Sequence, residues 1–151
     1  MKKFELTAES KINIFGKKLF RIKALISFGD VEEGETGGWI EKEENLEQSS
    51  GNAWVSGNAE VYGNAWVYGN AEVSGNADYT TIHGFGTQFR TTTFFQCEDK
   101  QIRVSCGCFL GTIPEFREQV KNTREGKIAE EYLMIADLME KHFVKEKESG
   151  E

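Results

Sequence analysis

Residues 51–80 read GNAWVSGNAEVYGNAWVYGNAEVSGNADYT, a six-residue phrase that occurs five times. Gly and Asn open each phrase, Ala stands third, and Val stands fifth until Tyr79 takes its place. Gly adopts a positive φ without strain and Asn tolerates the left-handed region, so each pair predicts a corner of the chain. Ala and Val are two residues apart and share one face of a strand. Each phrase therefore predicts a short strand with a small apolar inner side, followed by a corner.

A strand and a corner every six residues predict a triangular coil of three phrases per turn, with successive turns stacked at roughly 4.8 Å. A period of six that contains Gly-Asn excludes an amphipathic helix over this stretch. The degenerate phrases on either side extend the coil to residues 38–86. That length predicts a short prism of two to three turns, whose open ends need caps.

The flanking segments supply those caps. Residues 1–37 predict an N-terminal β cap with a hairpin that turns near Gly16–Lys17, and residues 87–111 predict a hairpin that turns at Asp99–Lys100. Residues 112–145 predict two helices, the first opened by a capping box of Thr112 and Glu115, and residues 146–151 predict a disordered tail. The residues expected on the core side are Ile12, Ile14, Phe20, Ile22 and Ala24 in the first hairpin and Ile128, Tyr132, Ile135, Met139 and His142 in the last helix.

The charge is unevenly distributed along the chain. The net charge is −7, whereas residues 1–23 alone carry +5, so the remainder carries −12. An acidic surface argues against direct nucleic-acid binding, which needs a basic face. The basic N-terminus is either a solvated strand surface or a site for phosphate or an acidic neighbouring subunit.

Composition indicates a cytoplasmic protein with reduced thiols. No run of about 18 apolar residues exists to cross a bilayer, and the start MKKFELTAESKINIF lacks the apolar stretch of a signal peptide. Three cysteines are too few and too oddly numbered for a secreted disulfide framework.

The phrases VSGNAE at 55–60 and VYGNAW at 61–66 resemble the motif of hexapeptide-repeat proteins, with departures at Ser56 and Tyr62. That family folds as a left-handed β-helix, includes acyltransferases and usually forms homotrimers. The resemblance implies a left-handed β-helix, and with the flanking segments the predicted fold is mainly β: a short left-handed parallel β-helix of two to three coils with an N-terminal β cap, a C-terminal β-hairpin and two α-helices. It also implies a homo-oligomer, with a trimer favoured.

The wider layout resembles proteins of phages and prophages of Gram-positive bacteria. The segments that carry this resemblance are GDVEEGETGGWIEKEENL before the repeats and CGCFLGTIPEFREQV after them. Together with the lack of a catalytic set, it implies a non-catalytic oligomeric binding protein that holds a host protein or a small ligand. Interference with host defence, either as an anti-CRISPR-like inhibitor of a host protein or by sequestering a signalling nucleotide, is one specific form of this function. A structural assembly protein is a further alternative.

The acyltransferase alternative depends on His83. The hexapeptide acyltransferases place a catalytic His between subunits and bind acetyl-CoA along the prism, and His83 lies just past the regular repeat. Its other interpretation is a closing residue that makes a hydrogen bond. The prism is short and lacks the family's extruded loop, so we predict no cofactor and no catalysis.

Cys97, Cys106 and Cys108 are weak candidates for a metal site. Zinc sites favour two or more residues between paired cysteines, whereas a Cys-Gly-Cys pair on a strand points both side chains to one face. Small buried side chains are the favoured interpretation. We therefore predict no metal.

The aromatic residues of the repeats are the favoured interface candidates. Trp54, Tyr62, Trp66 and Tyr68 occupy positions whose side chains should leave the coil, and Trp66 and Tyr68 share one face. They would be buried against the C-terminal helices, buried between subunits, or left as a binding site for a host protein or ligand. Nucleotide sequestration would instead predict that Arg90, Arg103 and Arg117 converge at a subunit boundary.

Overall fold

The structure, a computed structural model, describes residues 2–48, 51–106 and 109–144. Within these residues the chain forms ten strands, two α-helices and two single-turn 3₁₀ helices. The strands are β1 (Phe4–Ile12), β2 (Lys18–Ala24), β3 (Thr36–Ile40), β4 (Trp54–Val55), β5 (Glu60–Val61), β6 (Glu72–Val73), β7 (Tyr79–Phe85), β8 (Arg90–Gln96), β9 (Ile102–Cys106) and β10 (Phe109–Thr112). The α-helices are α1 (Ile113–Thr123) and α2 (Gly126–Phe143), and the 3₁₀ helices span Glu43–Asn45 and Asn76–Asp78.

The predicted left-handed parallel β-helix is wrong as the fold class. The strands lie in three sheets, one antiparallel (β10-β9-β8-β7), one mixed (β1-β2-β3-β5) and one of two strands (β4-β6). Parallel pairing between strands is limited to two-residue ladders, such as Trp54 opposite Glu72 and Val55 opposite Val73. The Gly-Asn corners stop each repeat strand after two residues, whereas the flanking hairpins have room for long antiparallel ladders. Those ladders therefore dominate the architecture.

The local geometry of the repeats agrees with the spacing argument. Gly51, Gly57, Gly63 and Gly69 have φ between 62° and 82°, so they form the predicted corners. The Ala and Val of the phrases are at most 2% exposed and form one apolar core: Ala53, Ala59, Ala65 and Ala71 with Val55, Val61, Val67 and Val73. Small side chains fit because neighbouring passes of the chain lie close together.

Only one end of the N-terminal hairpin packs against this core. Ile22 and Ala24 are buried as predicted, but Ile12 is 71% and Ile14 is 93% exposed. The prediction fails for these two residues because the tip extends beyond β3, which pairs with β2 only from Phe20 to Lys23.

The antiparallel sheet separates the repeat core from a second core under the helices. Side chains alternate along β8, so Phe95 joins the repeat core while Phe94 joins the second core with Val104. The β8–β9 turn includes Lys100 at φ 67°, close to the predicted position.

The two helices close the second core. Thr112 caps α1 by accepting from Glu115 N, and the Glu115 carboxylate accepts from Thr112 N, which completes the predicted capping box. Tyr132 and Met139 are buried as expected, whereas His142 is exposed, so its predicted core position is wrong. The predicted tail at 146–151 lies outside the described residues. Neither described helix has the length and apolarity needed to cross a membrane.

Candidate functional site

A groove of about 840 Å³ runs between the 3₁₀ turn at Glu43–Asn45 and the third repeat. One lysine and three glutamates give its lining a formal charge of −2, beside the apolar side chains of Leu46 and Trp66. Its lining residues are Lys42, Glu43, Glu44, Leu46, Glu47, Gln48, Asn64, Ala65 and Trp66. The groove is therefore acidic, and the Trp66 indole is its exposed aromatic surface, since Leu46 is only 1% exposed.

Trp66 is the exposed tryptophan of the chain. Its side chain is 40% exposed, whereas Trp39 and Trp54 are each 6% exposed. The indole stacks on Tyr68 with 3.9 Å between ring centroids and 12° between the planes. Tyr68 packs in turn against Phe95 of the sheet, so the face of the indole that stacks on Tyr68 is supported by the sheet. Such a fixed, half-open aromatic ring is typical of a recognition surface.

Asn45 fixes the wall of the groove opposite Trp66. Its amide nitrogen donates to Gly63 O at 3.1 Å and Ala65 O at 2.8 Å, while its oxygen accepts from Lys42 N at 3.0 Å. The side chain is fully buried, and its bond to Ala65 O is buried while the other two are part-buried. A parallel bridge between Leu46 and Val67 continues the same connection. The acidic turn is thereby held rigidly against the repeat that carries Trp66.

The three glutamates of the groove differ in the contacts that their carboxylates make. Glu47 Oε1 accepts from Gly69 N at 3.1 Å, and Glu43 lies 3.1 Å from Lys2 Nζ in an exposed ion pair. Glu44 is exposed. An exposed ion pair contributes little stability and exchanges readily, so Glu43 and Glu44 are both accessible to a cationic ligand.

The four predicted interface aromatics do not form one patch. Trp66 and Tyr68 meet at the groove, whereas Trp54 is buried within the chain with its ring 5.4 Å from Phe28, in an edge-on contact. It is covered by the N-terminal segment rather than by the C-terminal helices. Tyr62 lies elsewhere again, half-buried, with its ring centroid 6.2 Å from that of Phe15.

The three candidate arginines are not brought together within the chain. On β8, Arg90 and Phe95 are five residues apart, which corresponds to about 17 Å along the strand. Arg103 on β9 pairs with Phe95, so the backbones of Arg90 and Arg103 are separated by about the same distance. Each guanidinium has a local partner. Arg90 donates to Gln88 at 2.7 Å, Arg103 to Asp99 at 2.9 Å, and Arg117 to Asp137 at 2.8 Å and Glu140 at 3.1 Å. The Arg103 guanidinium lowers the pKa of Asp99 through its hydrogen bond, as expected for a stable local pair.

His83 lies exposed on β7, with its Nδ1 2.8 Å from Thr91 Oγ1 on the neighbouring strand. The non-catalytic interpretation of His83 expects a hydrogen bond of this kind. The residue does not line the groove.

Cys97 and Cys106 lie on opposite faces of the antiparallel sheet. Cys97 is buried in the repeat core, and burial raises the pKa of its thiol to about 12. Cys106 packs against the helical core and accepts from Thr92 Oγ1 at 3.3 Å. Cys108 lies outside the described residues. Among the residues that are described, no three His, Cys, Asp or Glu side chains are grouped to hold a metal ion.

The sequence predicts that Trp66 and Tyr68 share one face, where they stack, but it gives no signal for the acidic wall or for Asn45. The segment Lys42–Gln48 belongs to the degenerate phrases before the regular repeat, which give no signal for an acidic wall. Its position beside Trp66 depends on the bridge from Leu46 to Val67, which joins residues far apart in sequence.

No protein-family model matches the chain, and no curated protein is significantly similar to it. The chemistry of the groove therefore carries the functional argument.

Proposed function

We propose that this chain is a non-catalytic binding protein whose groove holds an arginine-rich segment of another protein. The observation that carries the proposal is the half-exposed Trp66 indole, stacked on Tyr68 in a groove that contains three glutamates. A guanidinium group stacks on an aromatic face and also forms paired hydrogen bonds with carboxylates. Arginine is the side chain that uses both features of this groove.

The charge of the groove weighs against a nucleotide ligand. Phosphate groups would meet a lining with a formal charge of −2, and Arg103 and Arg117 are already engaged with carboxylates. The same repulsion weighs against acetyl-CoA at this groove, because that cofactor carries phosphates. A protein partner is the ligand class that the groove supports best.

The resemblance to phage and prophage proteins gives the proposal its biological setting. A phage-encoded chain of this kind would act in the host cytoplasm on a basic segment of a host protein, and interference with host defence is one specific form of that action. The free thiols of Cys97 and Cys106 fit a reducing compartment.

Fluorescence anisotropy with a labelled hexa-arginine peptide tests the proposal at low salt. We expect saturable binding that hexaglutamate does not reproduce and that hexalysine reproduces only weakly, because an ammonium group cannot stack as a guanidinium does. Trp66→Ala removes the stacking face and should weaken binding about tenfold. Glu44→Lys replaces attraction by repulsion and should also weaken binding about tenfold.

Matched controls separate the groove from general surface charge. Phe89→Ala removes another exposed aromatic ring, and Glu33→Lys reverses another exposed carboxylate, both outside the groove. Each should change the dissociation constant less than about twofold. Equal losses in the controls and the groove variants, or no binding of hexa-arginine, would refute the proposal. A rise in melting temperature with acetyl-CoA that His83→Ala abolishes would favour the acyltransferase alternative instead.

A further inference from the structure

Helix α2 presents a second apolar surface, away from the groove. Met134 is 69% exposed and Leu138 is 56% exposed, one helical turn apart. The buried side of the same helix is formed by Tyr132, Ile135, Ala136 and Met139, which pack into the second core. The two exposed side chains therefore do not serve the fold of a single chain.

Charged residues flank this apolar pair in a symmetric pattern. Glu131 precedes Met134 by three residues and Lys141 follows Leu138 by three, so all four lie on one stripe of the helix. Lys127, one helical turn before Glu131, lies on the same stripe and is exposed. Glu131 therefore lies on the N-terminal side of the apolar pair and Lys141 on its C-terminal side.

Two carboxylates beside this stripe share one cation on α1. Arg117 of α1 lies 2.8 Å from Asp137 and 3.1 Å from Glu140. On the stripe itself, the charges next to the apolar pair are Glu131 at one end and Lys141 at the other, with Lys127 one turn further towards the helix N-terminus.

An antiparallel copy of the helix would match this stripe residue by residue. A twofold axis on the exposed side of the helix, at the level of position 136, places Met134 opposite Leu138 of the second copy and Glu131 opposite Lys141 of the second copy. Apolar groups meet apolar groups and opposite charges meet, which is the self-complementarity that an isologous interface requires.

We propose that two copies of this chain associate through antiparallel pairing of their α2 helices. The pairing is independent of the groove, which lies on the 3₁₀ turn and the repeats. It replaces the trimer expected from the sequence, because that expectation rested on the parallel β-helix that the sheet topology contradicts.

The size of the stripe makes this a weak dimer. The 18 residues of α2 span about 27 Å, and a helix is about 10 Å wide, so each copy buries roughly 300 Å². Stable dimers bury about 800 Å² per partner. We therefore expect a dissociation constant on the order of 100 μM.

Sedimentation equilibrium of the full chain between about 10 μM and 1 mM tests the proposal. Leu138→Glu places a charge in the apolar centre and should weaken association at least about 30-fold. Glu131→Lys and Lys141→Glu each convert two symmetric attractions into repulsions and should each weaken it about tenfold. Lys121→Glu on α1 is the matched control for Lys141→Glu and should leave association within about twofold.

Charge exchange gives the sharpest outcome. The double variant Glu131→Lys/Lys141→Glu should regain the association of the original chain. A mixture of the two single variants should also associate, because both contacts of the mixed pair then join opposite charges. These variants are at exposed or half-exposed positions, so they remain informative if Leu138→Glu fails to fold. A monomer at 1 mM, a trimer at saturation, or single variants whose mixture stays monomeric would overturn the proposal.

Discussion

Replacement of Asn45 by alanine should destabilise the chain more than its position in a surface turn suggests. The side chain is fully buried and makes three hydrogen bonds, one from Lys42 N and two to the carbonyl oxygens of Gly63 and Ala65. Each such bond contributes about 1 kcal/mol net, and loss of the buried one takes this partner from the Ala65 carbonyl. We therefore expect Asn45→Ala to lower the free energy of unfolding by about 3 kcal/mol.

Urea unfolding followed by circular dichroism measures this change directly. The midpoint should fall while the m-value stays constant, since the substitution alters stability rather than the surface exposed on unfolding. In a chain of this size a loss of about 3 kcal/mol corresponds to a fall in melting temperature of roughly 6–12 °C.

Asn64→Ala is the matched control for Asn45→Ala. Asn64 is an exposed asparagine that also lines the groove, so its removal should change stability by less than about 0.5 kcal/mol. A loss below about 1 kcal/mol for Asn45→Ala, or equal losses at both positions, would refute the claim that Asn45 holds the acidic turn against the repeats.

Other substitutions test the corners, the buried thiol and the helix cap. Gly51→Ala forces a Cβ to within 2.6 Å of a backbone oxygen, whereas the Cβ of Gly63→Ala meets nothing within 4 Å. Both add left-handed strain of about 1 kcal/mol, so thermal melts should show a clearly larger loss for Gly51→Ala, and equal losses would contradict this packing. Because burial raises the pKa of Cys97 to about 12, the folded state keeps a proton that the unfolded state releases above pH 9. Denaturant titrations from pH 9 to 11 should therefore show the original chain losing about 1.4 kcal/mol per pH unit relative to Cys97→Ala, and parallel curves would contradict the burial of this thiol. Thr112→Ala removes the cap of α1 and should cost about 1 kcal/mol in urea unfolding, and an unchanged midpoint would contradict the capping role.

Local features of the fold could be predicted because they follow from local rules. The period of six places Gly at corners and Ala and Val inside, and the same alternation places Trp66 and Tyr68 on one face, where they stack. The capping box at Thr112 is likewise a rule about neighbouring residues.

The global arrangement could not be predicted in the same way. The resemblance to hexapeptide repeats describes a chain whose parallel ladders stack over two to three coils, whereas here each repeat strand offers two residues and the hairpins on either side determine the sheets. The cover of Trp54 by Phe28 and the junction of Leu46 with Val67 are contacts between distant segments. The spacing within the repeats specifies neither contact. The acidic wall of the groove depends on the contact between Leu46 and Val67.

Nuclear magnetic resonance of the tryptophan indole N–H groups tests the groove most directly. The chain has three tryptophans, so ¹⁵N-labelled protein should give three indole signals. The signal that disappears in the Trp66→Phe variant belongs to Trp66. Addition of hexa-arginine should shift this signal and leave the signals of the buried Trp39 and Trp54 in place. Movement of a buried indole with the Trp66 signal fixed, or three unchanged signals in excess peptide, would contradict the proposed groove.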